Sequence, residues 1–244
     1  MSVMPTRFEK HLAEYSTYSD VIKNIEETDF SNFNPSKGDS NLVWDKSKHV
    51  GVMNRHNYAL LFWIDYFLSS NTKPVLIHVD RHDDLNEPEM PDTSKMKNPE
   101  YAAKYIDNIE VNQFMKPSIE LGLFESIELR GHSRNENFSD IDNLLQIAKN
   151  NSVVFDLDLD VYERNPLLKK NYSGDAHRKL GLNFEDSYTK FAEMIYLSDL
   201  TTVAFSPHYV DNGQMIQKHF NNIRKAYSEV SNSGGIVNTI KGIF

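Results

Sequence analysis

SVVFDLDLDVY, residues 152–162, begins as a β-branched and aromatic run and ends as acids alternating with leucines. An apolar run of this length bounded by polar chain reads as a strand buried on both faces, as in a parallel sheet. PVLIHVD (74–80) has the same form, SIELRG (126–131) and TTVAFSP (201–207) are further strands, and NLVWD (41–45) is a weaker fifth. Segments with helical spacing lie between and after them, at 56–70, 99–108, 112–123, 139–149, 183–198 and 212–230. Strands alternating with helices require crossover connections. The expected fold is therefore α/β, a three-layer α/β/α arrangement with a mainly parallel central sheet.

The chain has 244 residues, 35 Asp+Glu against 26 Lys+Arg, a formal charge of -9 and no cysteine. Without cysteine, a disulfide scaffold, a thiolate zinc site, an iron–sulfur centre and a cysteine nucleophile are excluded. The acidic balance argues against nucleic acid as a partner, because phosphate binding needs a basic footprint. The first residues lack the basic and apolar regions of a signal peptide, and YALLFWIDYFL (58–68) is too short and too interrupted to span a membrane. A cytoplasmic protein without membrane contact is expected. One domain, 1–244, accounts for the length, with 1–40 as an N-terminal extension and 232–244 as a loose tail.

Chemistry concentrates where two of the strands end. Asp80-Arg81-His82-Asp83-Asp84 follows the strand 74–80, and in extended chain Asp80, His82 and Asp84 share a face. The pentapeptide fits either a cation site or a helix cap at Asp83 or Asp84. Asp156, Asp158 and Asp160 likewise alternate onto one face, where three like charges repel unless a cation neutralises them. His56, opening a helix, gains meaning only from this company. Loops 84–98 and 163–181 leave the same strand ends, where open α/β sheets bind ligands. Together the acids and histidines suit a two-metal centre. Oxygen and imidazole donors without thiolate favour two Mn2+, with iron, cobalt or zinc as substitutes. Two cations about 3.5–4 Å apart are hydrolytic machinery.

The pairing of Asp-x-His-x-Asp with a later Phe-Asp-x-Asp, preceded by a lone histidine, resembles the arginase/ureohydrolase–deacetylase superfamily. HVDRHDDL, VVFDLDLDVY and AFSPHYV are similar to the branch containing peptide arginases, and the resemblance runs from about His56 to Asp211. It implies an arginase-like fold in which Asp80 and Asp156 bridge two manganese ions. His56 and Asp84 would complete one site, and His82 and Asp158 the other. This full set favours a binuclear ureohydrolase over a mononuclear zinc deacetylase. The implied activity is hydrolysis of arginine residues in a precursor peptide, the substrate partner, to ornithine and urea.

Where free-arginine ureohydrolases carry a guanidinium-pairing glutamate, this chain has Ser206-Pro207-His208, which leaves Asp160 or Asp83 as the substitute. His132 or His208 is the candidate proton shuttle, since imidazole titrates near neutrality. His78, inside an apolar strand, reads as a buried structural histidine. Three other readings compete: another metal-dependent C–N hydrolase, namely a deacetylase or a small-molecule amidinohydrolase; a non-catalytic metal-stabilised scaffold; and a phosphatase of the haloacid-dehalogenase type with Asp156 as nucleophile.

Overall fold

The computed structural model describes residues 26–27, 29–35, 41–70, 72–130, 141–162, 184–207 and 213–233. In chain order its elements are β1 (Glu26–Glu27), a 3-10 turn (Phe30–Asn32), β2 (Leu42–Asp45), β3 (Val50–Met53), a 3-10 turn (His56–Tyr58), α1 (Ala59–Ser70), β4 (Val75–Val79), α2 (Pro99–Asn108) and α3 (Met115–Glu120). There follow β5 (Ser126–Arg130), α4 (Ile141–Asn150), β6 (Val153–Asp158), a 3-10 turn (Leu159–Tyr162), α5 (Phe184–Leu197), β7 (Leu200–Ala204) and α6 (Gly213–Asn232). Among the described residues, seven strands form one sheet in the order β1-β2-β3-β7-β6-β4-β5. Of its six pairings the β2–β3 pair is antiparallel and the others are parallel.

Alternation along the central strands divides two cores. Val75, Ile77 and Val79 of β4 and Val153, Phe155 and Leu157 of β6 pack with Leu144 of α4, Phe191 of α5 and Phe220 of α6. Leu76, Val154, Leu200 and Ala204 point the other way and pack with Leu60 and Trp63 of α1, Ile106 of α2 and Met115 of α3. Helices therefore cover both faces, and the expected α/β/α layering is what the chain adopts. Each fully buried side chain of this size contributes roughly 1.5–3 kcal/mol. At the start of α2, Asn98 accepts the Tyr101 N–H at 3.0 Å and Pro99 occupies the first turn, where its missing N–H costs nothing.

The chain departs from the expected elements in three places. β3 joins the sheet between β2 and β7, although only four residues long and interrupted by Gly51. That glycine is needed. A Cβ there would lie 2.7 Å from the Phe62 ring, so its absence lets α1 sit against the sheet. Residues 29–35, expected within an extension, belong to the packed body. Phe30 and Phe33 are buried, Phe30 meeting Phe220 and Tyr227 edge-on and Phe33 lying 4.8 Å from Phe205. Finally, the strand expected over 152–162 ends at Asp158, and Leu159–Tyr162 tightens into a 3-10 turn. Among the described residues, no helix is long and apolar enough to cross a membrane.

Candidate metal centre

Register prepares the site. His78 of β4, Asp156 of β6 and Thr202 of β7 lie side by side across the sheet. Directly opposed residues project to the same face, here that of α1–α3. Two residues on, Asp80 and Asp158 occupy the same face where the strands end. β3 ends nearby, and the 3-10 turn after it delivers His56. Neighbouring side chains anchor that turn: Asn57 Nδ2 donates to the Ile106 carbonyl at 2.6 Å and Arg55 Nη2 to the Ile109 carbonyl at 3.0 Å. The Phe114 ring packs against His56 with centroids 4.6 Å apart.

His56 Nδ1 faces three carboxylates at almost one distance: Asp80 Oδ2 at 3.1 Å, Asp84 Oδ2 at 3.2 Å and Asp158 Oδ2 at 3.2 Å. Adjacent ligands of an octahedral cation with bonds near 2.1 Å lie about 3.0 Å apart, so this spacing fits a divalent ion. His56 Nδ1 and Asp80 Oδ2 are buried without a hydrogen-bond partner, as a pair of ligand atoms facing a cation position would be. Beside them, His82 Nδ1 lies 3.0 Å from Asp160 Oδ2 and 3.5 Å from Asp80 Oδ1. Asp160 Oδ2 is also buried without a hydrogen bond. Asp80, His82 and Asp160 thus form a second grouping able to hold a metal ion. The two oxygens of Asp80 face different groupings.

The backbone holds these side chains in place. Asp80 Oδ1 accepts the His82 N–H at 2.6 Å, Asp158 Oδ1 accepts the Asp160 N–H at 2.9 Å, and Asp160 Oδ1 accepts the Arg81 N–H at 3.3 Å. Ser206 Oγ donates to Asp158 Oδ2 at 2.5 Å. Asp84 and Ser206 both have left-handed backbone, with φ of 49° and 43°. Non-glycine residues in that region carry strain that packing must hold, and such positions gather at functional sites.

The buried charges shift one another. Burial works to lower the His56 pKa, but Asp156, Asp158 and Asp80 outweigh it and hold the imidazole well above its ordinary range. Burial, reinforced by the Asp80 charge, lifts the Asp84 carboxyl to about 7. Burial with the Asp158 and Asp80 charges lifts Asp160 to about 8. The Asp160 and Asp80 carboxylates beside it raise His82 to about 11. Burial alone would raise Asp156, yet His56 and His78 bring it down to about 2. Without a cation the cluster therefore retains protons at neutrality, on the groups a metal ion would need bare.

All six expected ligands, His56, Asp80, His82, Asp84, Asp156 and Asp158, converge at this end of the sheet, but their neighbours differ from those the resemblance implies. Asp158 lies with His56, not with His82. Asp160, expected to pair a guanidinium, is fully buried beside His82, because the 3-10 turn swings it there. Asp156 sits one step deeper, with Oδ1 taken by Thr202 and Oδ2 by His78 and His56. So enclosed, it is unfit as the nucleophile of a phosphatase. His132 and His208 lie outside the described residues. His78, expected to be a buried structural histidine, is fully buried and meets Asp156 Oδ2 at 2.6 Å. Sequence reasoning passed over Thr202 and gave Ser206 no part in the cluster.

No protein-family model matches the sequence, and no curated protein matches it significantly. Among solved structures the chain is similar to a hypothetical agmatinase from Burkholderia thailandensis, with 13% identity, a TM-score of 0.48 and 75% of this chain covered. It spans 60% of that agmatinase. It is also similar to the arginase from Bacillus cereus, with 11% identity, a TM-score of 0.45, 72% of this chain covered and 69% of the arginase.

Proposed function

We propose that this chain is a binuclear metal hydrolase of the arginase type, holding two Mn2+ and converting arginine residues of a precursor peptide to ornithine and urea. The observation that carries the reading is Asp80. Its Oδ2 lies 3.1 Å from His56 Nδ1 and its Oδ1 lies 3.5 Å from His82 Nδ1, and Asp80 belongs both to the grouping with His56 and Asp158 and to the grouping with His82 and Asp160. In this reading Asp80, Asp84, Asp158 and His56 hold one ion, and Asp80, Asp160 and His82 hold the other. Oxygen and imidazole donors suit manganese. Cations bound there would supply Lewis acidity towards water, lowering its pKa to yield a nucleophile at neutral pH.

The chain's own groups would handle charge and protons. In the hydrolysis a water oxygen bonds to the guanidinium carbon, the carbon–Nε bond breaks, and Nε leaves as the ornithine amine once it has gained a proton. His82, with 44% of its side chain exposed, stands at the open rim of the cluster, where a substrate approaches. With Asp160 buried against His82, Asp83 falls to pairing the guanidinium. His132 or His208 supplies the proton to the leaving amine. The formal charge of -9 favours approach of a basic substrate.

The test is incubation of Mn2+-loaded protein with arginine-containing peptides and, separately, with free arginine, following urea release and arginine-to-ornithine conversion by mass spectrometry. Conversion within the peptides is expected. Turnover of free arginine alone would correct the substrate class, and no urea from either would overturn the catalytic reading.

A further inference from the structure

One carboxylate of the cluster does not behave like the others. Asp156 is fully buried in the middle of the sheet, and each of its oxygens is already committed. Thr202 Oγ1 donates to Oδ1 at 2.5 Å, while His78 Nδ1 and His56 Nε2 approach Oδ2 at 2.6 and 2.8 Å. These are hydrogen-bond lengths, shorter than the roughly 3.0 Å between neighbouring ligands of a divalent cation. The contacts of His56 Nδ1, on the other edge of the same ring, have the longer spacing.

The direction of the Thr202 hydroxyl is determined by its second neighbour. Trp63 Nε1 lies 3.2 Å from Thr202 Oγ1 and can only donate, so the Thr202 proton goes to Asp156. Asp156 is thereby fixed from the sheet side as an acceptor. An acceptor at His56 Nε2 keeps the proton on that nitrogen and leaves Nδ1 bare when the ring is neutral, with its lone pair aimed at Asp80, Asp84 and Asp158.

We infer that Asp156 is a positioning residue that, held by Thr202 and His78, sets the orientation and tautomer of His56 and is not itself a cation ligand. The inference rests on the metal-binding reading above and deepens it. It separates the acids of 156–160 into one that anchors and two, Asp158 and Asp160, that face the cations.

The experiment is a Mn2+ titration of the metal-free full chain by calorimetry and electron paramagnetic resonance. It compares wild type with Asp156→Asn, Thr202→Val, Thr202→Ser and the ligand variant Asp84→Asn. Histidine nitrogen NMR on the proteins loaded with diamagnetic Zn2+, in which a ligand imidazole is neutral, reports the ring tautomers. Wild type should bind two ions. Asp156→Asn should still bind two, with one weakened about 10–100-fold, the range for lost orienting partners, and the other changed less than about threefold. Thr202→Val should shift the same ion in the same direction by a smaller factor, and Thr202→Ser, which keeps the hydroxyl, should restore it. A merely structural role would weaken both ions together and leave the tautomer alone.

An Asp156→Asn protein that loses an ion outright, as Asp84→Asn should, would show Asp156 to be a ligand and overturn the inference. Unchanged affinities would overturn it as well. If Asp156→Asn does not fold, Thr202→Val decides, and wild-type affinity there refutes the positioning role. A wild type that binds no cation fails the metal reading itself, and does so before any variant is made.

Discussion

Loading the metal-free protein with Mn2+ should expel protons, and the structure says roughly how many. At pH 7 the Asp160 carboxyl, lifted to about 8, is mostly protonated and the Asp84 carboxyl, lifted to about 7, is half protonated. His82, raised to about 11, and His56, held well above its ordinary range, each carry one more proton than a ligand imidazole does. Filling both sites at pH 7 should therefore release about three protons, because cations bind these groups only when they are deprotonated. The count should rise to about four at pH 6, where Asp84 is nearly fully protonated, and fall by pH 9, where both carboxyls are ionised. Calorimetric titration in buffers of different ionisation enthalpy gives the number directly. Apparent affinity should climb steeply with pH over the same range. Release of less than one proton at pH 7, or a count that does not fall between pH 6 and 9, would refute the assignment of these four side chains as ligands.

Further outcomes can be checked on single variants. Asp80→Asn should abolish binding of both ions, whereas Asp160→Asn should leave one Mn2+ per chain by elemental analysis; retention of both by Asp80→Asn would deny its shared role. The metal-free protein should melt at progressively lower temperature from pH 5 to pH 8.5. Asp84 and Asp160 have raised folded-state pKa values, so their contribution is complete below the unfolded value near 4 and is lost as pH passes about 7 and about 8. Saturating Mn2+ should remove that decline, and a melting temperature rising with pH in the metal-free protein would contradict it. Gly51→Ala should cost about 1–3 kcal/mol by overpacking, because the new methyl would meet the Phe62 ring at 2.7–2.9 Å, and an unchanged denaturation midpoint would show that the ring has room to move.

The central sheet was readable because its strands are apolar on both faces. VLI of β4 and VVF of β6 announce burial between two helix layers, and the helices recur between them at their own period. β3 was not readable. Four residues divided by a glycine make a poor strand signal, and what holds them in the sheet is the pairing with β2 and β7, which involves residues far along the chain. In the site, the period of two that groups Asp80, His82 and Asp84 also takes in His78, whose apolar flanks mark it as structural and which is buried against Asp156. The spacing of Asp156, Asp158 and Asp160 could not say which of them faces a cation. That depends on where the strand stops, and a 3-10 turn beginning at Leu159 leaves no mark in an alternating pattern.

Assembly of the cluster constrains when during folding it can form. His56 and Asp156 are a hundred residues apart in the chain, and Ser206 is 48 residues beyond Asp158. These groups meet only after β3, β7, β6 and β4, the four adjacent central strands, are in register. Closing such long loops is slow, and no local fragment of the chain can reward it early. A divalent ion can thus favour only late, nearly complete states. It should slow unfolding far more than it speeds folding, so the lifetime of the native protein would be set by how long the cluster keeps its cations.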